Sequence, residues 1–154
     1  MKKWIGIIAV AFVGGLVLIQ LIPYGRAHAN PPVVQEPQWD SAQTRELFNR
    51  ACGDCHSNTT TWPAYSSVAP VSWLIYHDVQ EGRQRFNVSE WNRRQEGHEA
   101  AALTAEGEMP PPYYTLMHSS AQLNPAEKQA LVDGLQATFG GGTGRFERGR
   151  SNDD

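Results

Sequence analysis

Two cysteines and a histidine lie within one short segment, Cys52-Gly53-Asp54-Cys55-His56, and the chain of 154 residues contains no other cysteine. The C-x-x-C-H spacing is the attachment motif of haem c. Two intervening residues let one helical turn present both thiols to the same porphyrin edge, where they add to the vinyl groups and form thioethers. The next residue then points its imidazole at the iron. We therefore predict one covalent haem c, bound through Cys52 and Cys55, with His56 as the proximal iron ligand.

The same residue types also occur in thioredoxin-like redox pairs and in zinc sites. A redox pair is expected in a βαβ setting, and no strand pattern flanks this segment. A zinc site is expected to include a second Cys/His pair at finger-like spacing, which a chain with two cysteines does not offer. A structural disulfide here would close a very small loop and remove little entropy from the unfolded chain. A thiol–disulfide or zinc module is therefore a weaker interpretation than haem attachment.

A second segment, Glu108-Met109-Pro110-Pro111-Pro112-Tyr113-Tyr114, offers a distal ligand for the iron. Its prolines fix an extended backbone directly after a predicted helix, so the Met109 sulfur would lose little conformational entropy on binding iron. We predict Met109 as the distal ligand, although a methionine that only fills a gap in the core has the same pattern. An open site and four other side chains remain as alternatives: His118, Met117, His77 and His98.

The N-terminus reads Met1-Lys2-Lys3 and continues with an apolar run from Trp4 to Ile22 that only Gln20 interrupts. A helix of that length spans roughly 28 Å, close to the hydrocarbon thickness of a bilayer. The lysines before it keep the N-terminus cytoplasmic and send the rest of the chain across the membrane. We favour an uncleaved single-pass anchor in the cytoplasmic (inner) membrane, with the haem domain on the periplasmic face.

Cleavage of this segment is the alternative. Ala27-His28-Ala29 matches an A-x-A cleavage site before Asn30, and cleavage there would release a soluble periplasmic protein. The apolar run is longer than a typical signal-peptide core of about 7–15 residues. Pro23 and Gly25 also separate it from the A-x-A site. Both interpretations place the haem domain outside the cytoplasmic membrane.

Composition divides the chain into four parts. Residues 1–29 form the anchor or signal segment, residues 30–38 a Pro-rich tether, residues 39–139 the haem domain, and residues 140–154 a Gly-rich polar tail that we expect to be disordered. The formal charge of the chain is −3, and Lys2, Lys3 and Arg26 are the only charged residues before residue 30, which leaves −6 for residues 30–154. This charge argues against a nucleic-acid partner and permits docking to a basic redox protein.

Helix signals predict an all-α domain. Ser41 is a suitable N-cap for a helix that runs into Cys52. Asn124 is followed by a proline and, three residues after the cap, by Glu127, which predicts a capped helix that stops at Gly140. Terminal helices of this kind could cross behind a haem, which needs both of its faces covered.

Two further helices are predicted between these. One covers residues 71–83, with Val71, Leu74, Ile75 and Val79 on an apolar face near which His77 should pack. The other starts at Ser89 and runs toward Gly107. The loop 59–70 should supply the backbone carbonyl that fixes the His56 imidazole. Four arginines are expected to form a solvated basic face: Arg83, Arg85, Arg93 and Arg94.

The chain resembles the haem-binding-domain proteins of bacteria, which are membrane-anchored relatives of the mono-haem class I cytochromes c. The resemblance covers most of residues 19–138. It is carried by Ile22-Pro23-Tyr24-Gly25-Arg26, Asn30-Pro31-Pro32-Val33, residues 52–58, Trp62-Pro63, Tyr65-Ser66, residues 68–74, Asp78-Val79, Glu81-Gly82-Arg83 and residues 107–111. It implies His56 and Met109 as axial ligands and an exported domain of the all-α cytochrome type. Cytochromes c often have a glycine in the first helix at the position of Thr44.

These features predict an electron carrier rather than an enzyme. A His/Met-ligated iron cycles between two oxidation states and leaves no vacant position for a substrate. No acid/base pair or nucleophile constellation stands out in the sequence. The alternative is a haem-based sensor or a peroxidase-like enzyme with a labile sixth ligand.

Overall fold

The computed structural model describes residues 2–140 and contains helices but no strand in that range. The α-helices, in chain order, are α1 (Lys2–Ile19), α2 (Ala42–Ala51), α3 (Gly53–His56), α4 (Val71–Arg85), α5 (Ala100–Glu106), α6 (Pro112–Met117) and α7 (Pro125–Phe139). Short 3₁₀ helices cover Ala64–Ser67, Gly97–Glu99 and Ser119–Ala121. The prediction of a small all-α domain with an N-terminal apolar helix is confirmed. The tail predicted to be disordered lies outside the described residues, apart from Gly140.

Helix α1 stands apart from the rest of the chain. None of its 18 residues is buried, and it carries no acidic residue. It is long and apolar enough to cross a membrane, and these properties are shared by transmembrane helices and signal sequences. The other helices surround a core formed by α2, α7 and the segment that follows α4.

The ends of α2 and α7 follow the cap signals in the sequence. The Ser41 hydroxyl accepts a hydrogen bond from the Thr44 N–H at the start of α2. Asn124 and Glu127 form a capping box, in which each side chain accepts from the backbone N–H of the other residue. These contacts satisfy amide groups that have no partner inside the helix.

Helices α2 and α7 cross in close contact. A Cβ added at Gly134 of α7 would lie 2.6 Å from Cγ2 and 2.8 Å from Cβ of Thr44, so only glycine fits there. Around this crossing, Phe48, Leu131 and Leu135 are almost fully buried. Phe48 also approaches Phe139, with their ring centroids 6.4 Å apart. The small residue of the crossing therefore lies in the C-terminal helix.

The helix predicted from Ser89 is wrong over its first half. Residues 89–96 form no α-helix, and regular structure resumes only at the 3₁₀ helix Gly97–Glu99 and at α5. The Ser89 hydroxyl is occupied elsewhere, because it accepts a hydrogen bond from the Asn58 N–H. The Trp91 N–H donates to the carbonyl of Gln35, and the Gln95 side chain bonds the backbone of Glu90. Tertiary partners thus satisfy this backbone in place of a helix. The predicted end is correct, because Gly107 ends α5 with a φ of +81°.

Residues 30–38, the predicted tether, are extended and bonded to the domain. The Asn30 side chain donates to the carbonyl of Thr60 at 2.8 Å. Further along, the Asn58 side chain donates to the carbonyl of Pro32, and the Val34 N–H donates to the carbonyl of Ser89. The division of the chain at residues 29, 38 and 139 stays a prediction.

Candidate haem-binding site

A cavity of about 360 Å³ lies between α2, α4, α5 and the segment that leads into α6. Its size falls in the range of small-molecule and cofactor pockets. Four of the residues predicted to hold haem line it together: Cys52, Cys55, His56 and Met109. Apolar side chains that include Phe48, Leu103 and Leu135 supply much of the remaining wall.

The two cysteines lie at the junction of α2 and α3. Cys52 caps the C-terminal end of α2, and its carbonyl accepts from the N–H groups of Cys55 and His56 at 3.2 and 3.0 Å. This turn brings both thiols to the same cavity, and no disulfide joins them. Burial raises the pKa of each thiol to about 12. Thiols of this kind lack the lowered pKa of a reactive redox pair.

The imidazole of His56 is fixed by the segment that ends α4. Its Nδ1 donates to the carbonyl oxygen of Phe86 at 3.1 Å, and the two rings stack with centroids 4.1 Å apart. The carbonyl was expected in the loop 59–70, so that prediction is wrong. Burial also lowers the pKa of His56, which keeps the ring neutral. A neutral imidazole with Nδ1 engaged has its Nε2 lone pair free to bind a metal.

Gly82 explains why the end of α4 reaches His56. A Cβ at position 82 would lie 2.6 Å from the carbonyl oxygen of Cys55 and 3.0 Å from its Cβ. Any larger residue would push α4 away from α3 and carry Phe86 with it. Gly82 was noted in the sequence only as part of the family motif.

Arg83 holds the opposite side of α3. Its side chain donates to the carbonyls of Ser57 and Ala29 and to the hydroxyl of Thr60. The residue is only 9% exposed, and burial lowers its pKa. The predicted solvated arginine face is therefore wrong for Arg83, whose partners are neutral oxygens of two separate segments, residues 29–30 and 57–60. Its neighbour Arg93 is exposed and pairs with Glu90.

Met109 approaches the cavity from the side of α5. Its N–H donates to the carbonyl of Leu103 at 3.1 Å, next to the left-handed turn at Gly107. The following residues Pro110 and Pro111 line the same cavity. Met109 is 38% exposed, so it forms part of the cavity's rim.

None of the alternative distal ligands lines this cavity. His118 donates from Nδ1 to the carbonyl of Tyr114 and accepts at Nε2 from the hydroxyl of Tyr65, so both of its ring nitrogens are engaged. Met117 is exposed on α6. His77 is exposed beside Glu81, which corrects its predicted position near an apolar packing face. His98 is also exposed.

Two tyrosines that sequence reasoning did not assign close the cavity near the cysteines. Tyr114 donates to Asp54, one of the two residues between the cysteines, at 2.7 Å. Tyr113 donates to Asp78 of α4 at 3.0 Å. Burial raises the pKa of both phenols, that of Tyr113 to about 12, so both remain donors. The only signal for them was their position directly after the Met-Pro segment.

Comparison with known families identifies the family of this chain. The model of a haem-binding domain matches residues 14–137. The chain belongs to this haem-binding family. A search of curated proteins gave no match, and neither did a search of solved structures.

The cavity fits a haem by the chemistry of its donors. It has two unpaired thiols, an imidazole with a free Nε2, a thioether and an apolar wall. Within residues 2–140, no three His, Cys, Asp or Glu side chains cluster as they would around a metal ion such as zinc.

Proposed function

We propose that this haem-binding protein is a mono-haem c-type cytochrome, held on the periplasmic face of the cytoplasmic membrane, that transfers single electrons. The observation that carries the proposal is the convergence of Cys52, Cys55, His56 and Met109 on one cavity. Cys52 and Cys55 would attach the porphyrin, and His56 and Met109 would bind the iron. When bound, the haem supplies a one-electron couple.

The protein residues tune and protect that couple. The Phe86 carbonyl orients the His56 imidazole and increases its basicity as a ligand. A methionine on the other side raises the reduction potential and fills the position that a substrate would need. The apolar wall around Phe48 and Leu135 would limit the access of water to the haem. These features favour a carrier over a sensor or a peroxidase-like enzyme. Its partner would be another redox protein.

Contacts of the residues before Asn30 support an uncleaved anchor. Arg83 donates to the carbonyl of Ala29 at 3.0 Å, and His28 stacks on Trp62 with ring centroids 4.7 Å apart. Cleavage after Ala29 would remove both contacts and leave the Arg83 guanidinium with one fewer acceptor. The exposed apolar surface of α1 would then lie in lipid.

Covalent attachment and anchoring are tested on one sample. The full chain is produced with a haem-attachment system, and intact mass and the pyridine haemochrome spectrum are recorded. We expect a c-type spectrum, the mass of one haem, and a chain that retains Trp4 to Ile22. A b-type spectrum would refute thioether attachment, and a chain beginning at Asn30 would refute the anchor.

The distal ligand is tested with Met109→Ala and the control Met117→Ala. Loss of the Met109 thioether should lower the reduction potential on the order of 0.1–0.3 V, a part of the roughly 0.8 V that axial ligands span. Carbon monoxide should bind the reduced Met109→Ala protein more tightly, since no protein ligand needs to leave. Met117→Ala should leave both properties unchanged, because Met117 is exposed on α6. Rapid carbon monoxide binding and peroxide turnover by the parent protein would favour the enzyme or sensor alternative.

A further inference from the structure

Three apolar side chains beside the start of α4 are exposed, although the backbone around them is firmly held. Val68 is 53% exposed, Val71 43% and Leu74 49%, and we name these residues the apolar seat. We propose that the apolar seat rests in the outer leaflet of the membrane that α1 crosses, where acyl chains meet headgroups. The proposal rests on the retention of α1 proposed above.

Hydrogen bonds of Gln20 set the depth of the apolar seat. Gln20 follows α1 directly, its Nε2 donates to the carbonyl of Ala69 at 2.9 Å, and its Oε1 accepts from the Ala69 N–H at 3.0 Å. Helix α1 is about 27 Å long, so Gln20 lies at the edge of a hydrocarbon core of about 30 Å. Ala69 must therefore lie within the reach of the Gln20 side chain and one hydrogen bond from that depth. Its neighbour Val68 and the nearby Val71 therefore lie in the same layer.

Further contacts prevent the domain from swinging about this point. Gly25 has a φ of +80° and approaches Ser72 so closely that a Cβ would collide with the Ser72 carbonyl. Tyr24 packs edge to face on Tyr76, with ring centroids 5.2 Å apart. Tyrosine is enriched at the membrane–water interface. Helix α4 thus starts at the membrane surface in a defined orientation.

The pattern along α4 separates the apolar seat from the protein core. The buried face of this helix carries Ser72 and Val79, which are 0% and 1% exposed. Val71 and Leu74 lie on a different face, three residues apart, and the same face continues with Asp78 and Glu81, which line the haem cavity. Apolar residues are confined to the turn beside the membrane, and charged residues replace them farther along.

This seating also places the haem site near the membrane. Gly82 lies beside the cysteines, and the axial rise from Val71 to Gly82 is about 16 Å. Gly82 can therefore lie no more than about that distance farther from the bilayer than Val71 does. A membrane-bound redox partner would meet the haem close to the lipid surface.

The test uses a photoreactive benzophenone amino acid, which forms bonds with C–H groups around it. Single variants of the full-length holoprotein are reconstituted in phosphatidylcholine vesicles, irradiated and analysed by intact mass. The seat variants are Val71→p-benzoylphenylalanine and Leu74→p-benzoylphenylalanine. The same substitution at Val10 of α1 reports the anchor. The matched control is at Gln129, an exposed residue of α7, which packs on α2 and α5 rather than on α4. The haem spectrum of each variant verifies its fold.

We expect phospholipid adducts at Val71, Leu74 and Val10, and none at Gln129. Lipid adducts at Val10 alone would overturn the apolar seat and leave the anchor intact. No adduct at Val10 would refute the anchor, and the apolar seat with it. Covalent dimers from the Leu74 variant would show that a second copy of the chain covers this surface, and equal adducts at Gln129 would show unspecific lipid contact. Either result would also overturn the proposal.

Discussion

Replacing Gly134 with alanine should destabilise the protein, although alanine is the better helix former. In the middle of a helix, alanine is more favourable than glycine by about 0.8–1.0 kcal/mol. At this crossing, however, the new methyl would lie 2.6 Å from Cγ2 and 2.8 Å from Cβ of Thr44. Thr44 is a β-branched residue, and its hydroxyl is bonded to Ser41 at 2.9 Å, so its side chain has little freedom to turn away.

The size of the effect follows from these opposing contributions. Overpacking a close-packed core costs about 1–3 kcal/mol. The contact of Gly134 with Thr44 involves three side-chain atoms, which places the cost toward the upper end of that range. After the helix-propensity gain is subtracted, Gly134→Ala should lower the free energy of unfolding by about 1–2 kcal/mol.

Gly134→Ala should change the free energy of unfolding in the opposite direction when Thr44 is replaced with glycine. Thr44→Gly removes the atoms that the methyl would meet and keeps the N–H that Ser41 caps. In this background, Gly134→Ala should raise the free energy of unfolding by up to about 1 kcal/mol. The assay is denaturant unfolding of the full-length holoprotein in detergent, followed by far-ultraviolet circular dichroism, with unchanged m-values as the check on the unfolded state. If Gly134→Ala stabilises the protein in both backgrounds, the helices do not cross as closely as described.

Three further predictions concern residues around the haem site and the last helix. Under the proposed covalent attachment, Gly82→Ala should reduce covalent haem per chain, measured by pyridine haemochrome absorbance, because the methyl would push α4 away from Cys55. Arg83→Met should lower the free energy of unfolding by about 2–4 kcal/mol in the same denaturation assay, because buried oxygens lose their donor, whereas the exposed control Arg94→Met should change it by less than about 0.5 kcal/mol. The hydrogen bond from Arg50 holds the pKa of Glu127 below its usual range, so its stabilisation is present above the unfolded-state pKa and is lost as the pH falls through the folded-state pKa. Glu127→Gln should therefore reduce the loss of stability on acidification below about pH 4.

Each of these predictions has an outcome that contradicts it. Full haem loading of Gly82→Ala would mean that the contact between α3 and α4 does not control attachment. Equal effects of Arg83→Met and Arg94→Met would deny that the buried guanidinium joins separate segments. An acid transition unchanged by Glu127→Gln would assign the pH dependence to other carboxylates.

Local signals in the sequence were sufficient for much of the helical framework. The caps at Ser41 and Asn124, the start of α4 at Val71 and the end of α5 at Gly107 all depend on neighbouring residues, and all were predicted correctly. The helix at Ser89 failed because that hydroxyl binds a backbone group 31 positions away in the chain. A cap residue shows where a helix can begin, but it does not show whether another partner occupies the cap.

In the haem site, too, features set by neighbouring residues were predicted, and features set by distant residues were not. The C-x-x-C-H motif predicted that Cys52, Cys55 and His56 lie together, because all three belong to five consecutive residues. The partner of the His56 imidazole is the Phe86 carbonyl, and any residue can supply a carbonyl. The identity of that residue depends on how closely α4 approaches α3, which is set by Gly82. Arg83 was misplaced for a similar reason, since neutral oxygens from distant segments replaced water around its charge.

At the crossing of α2 and α7, the glycine lies in a different helix from the one in which cytochromes c often have it. Cytochromes c often have a glycine in the first helix, where this chain has Thr44. A close crossing requires that one of the two facing positions lack a side chain, and either helix can satisfy it. Here α7 does so through Gly134, and Thr44 fills the space on the other side. Because either of the two facing positions can meet this requirement, a larger residue at one of them predicts a glycine at the other.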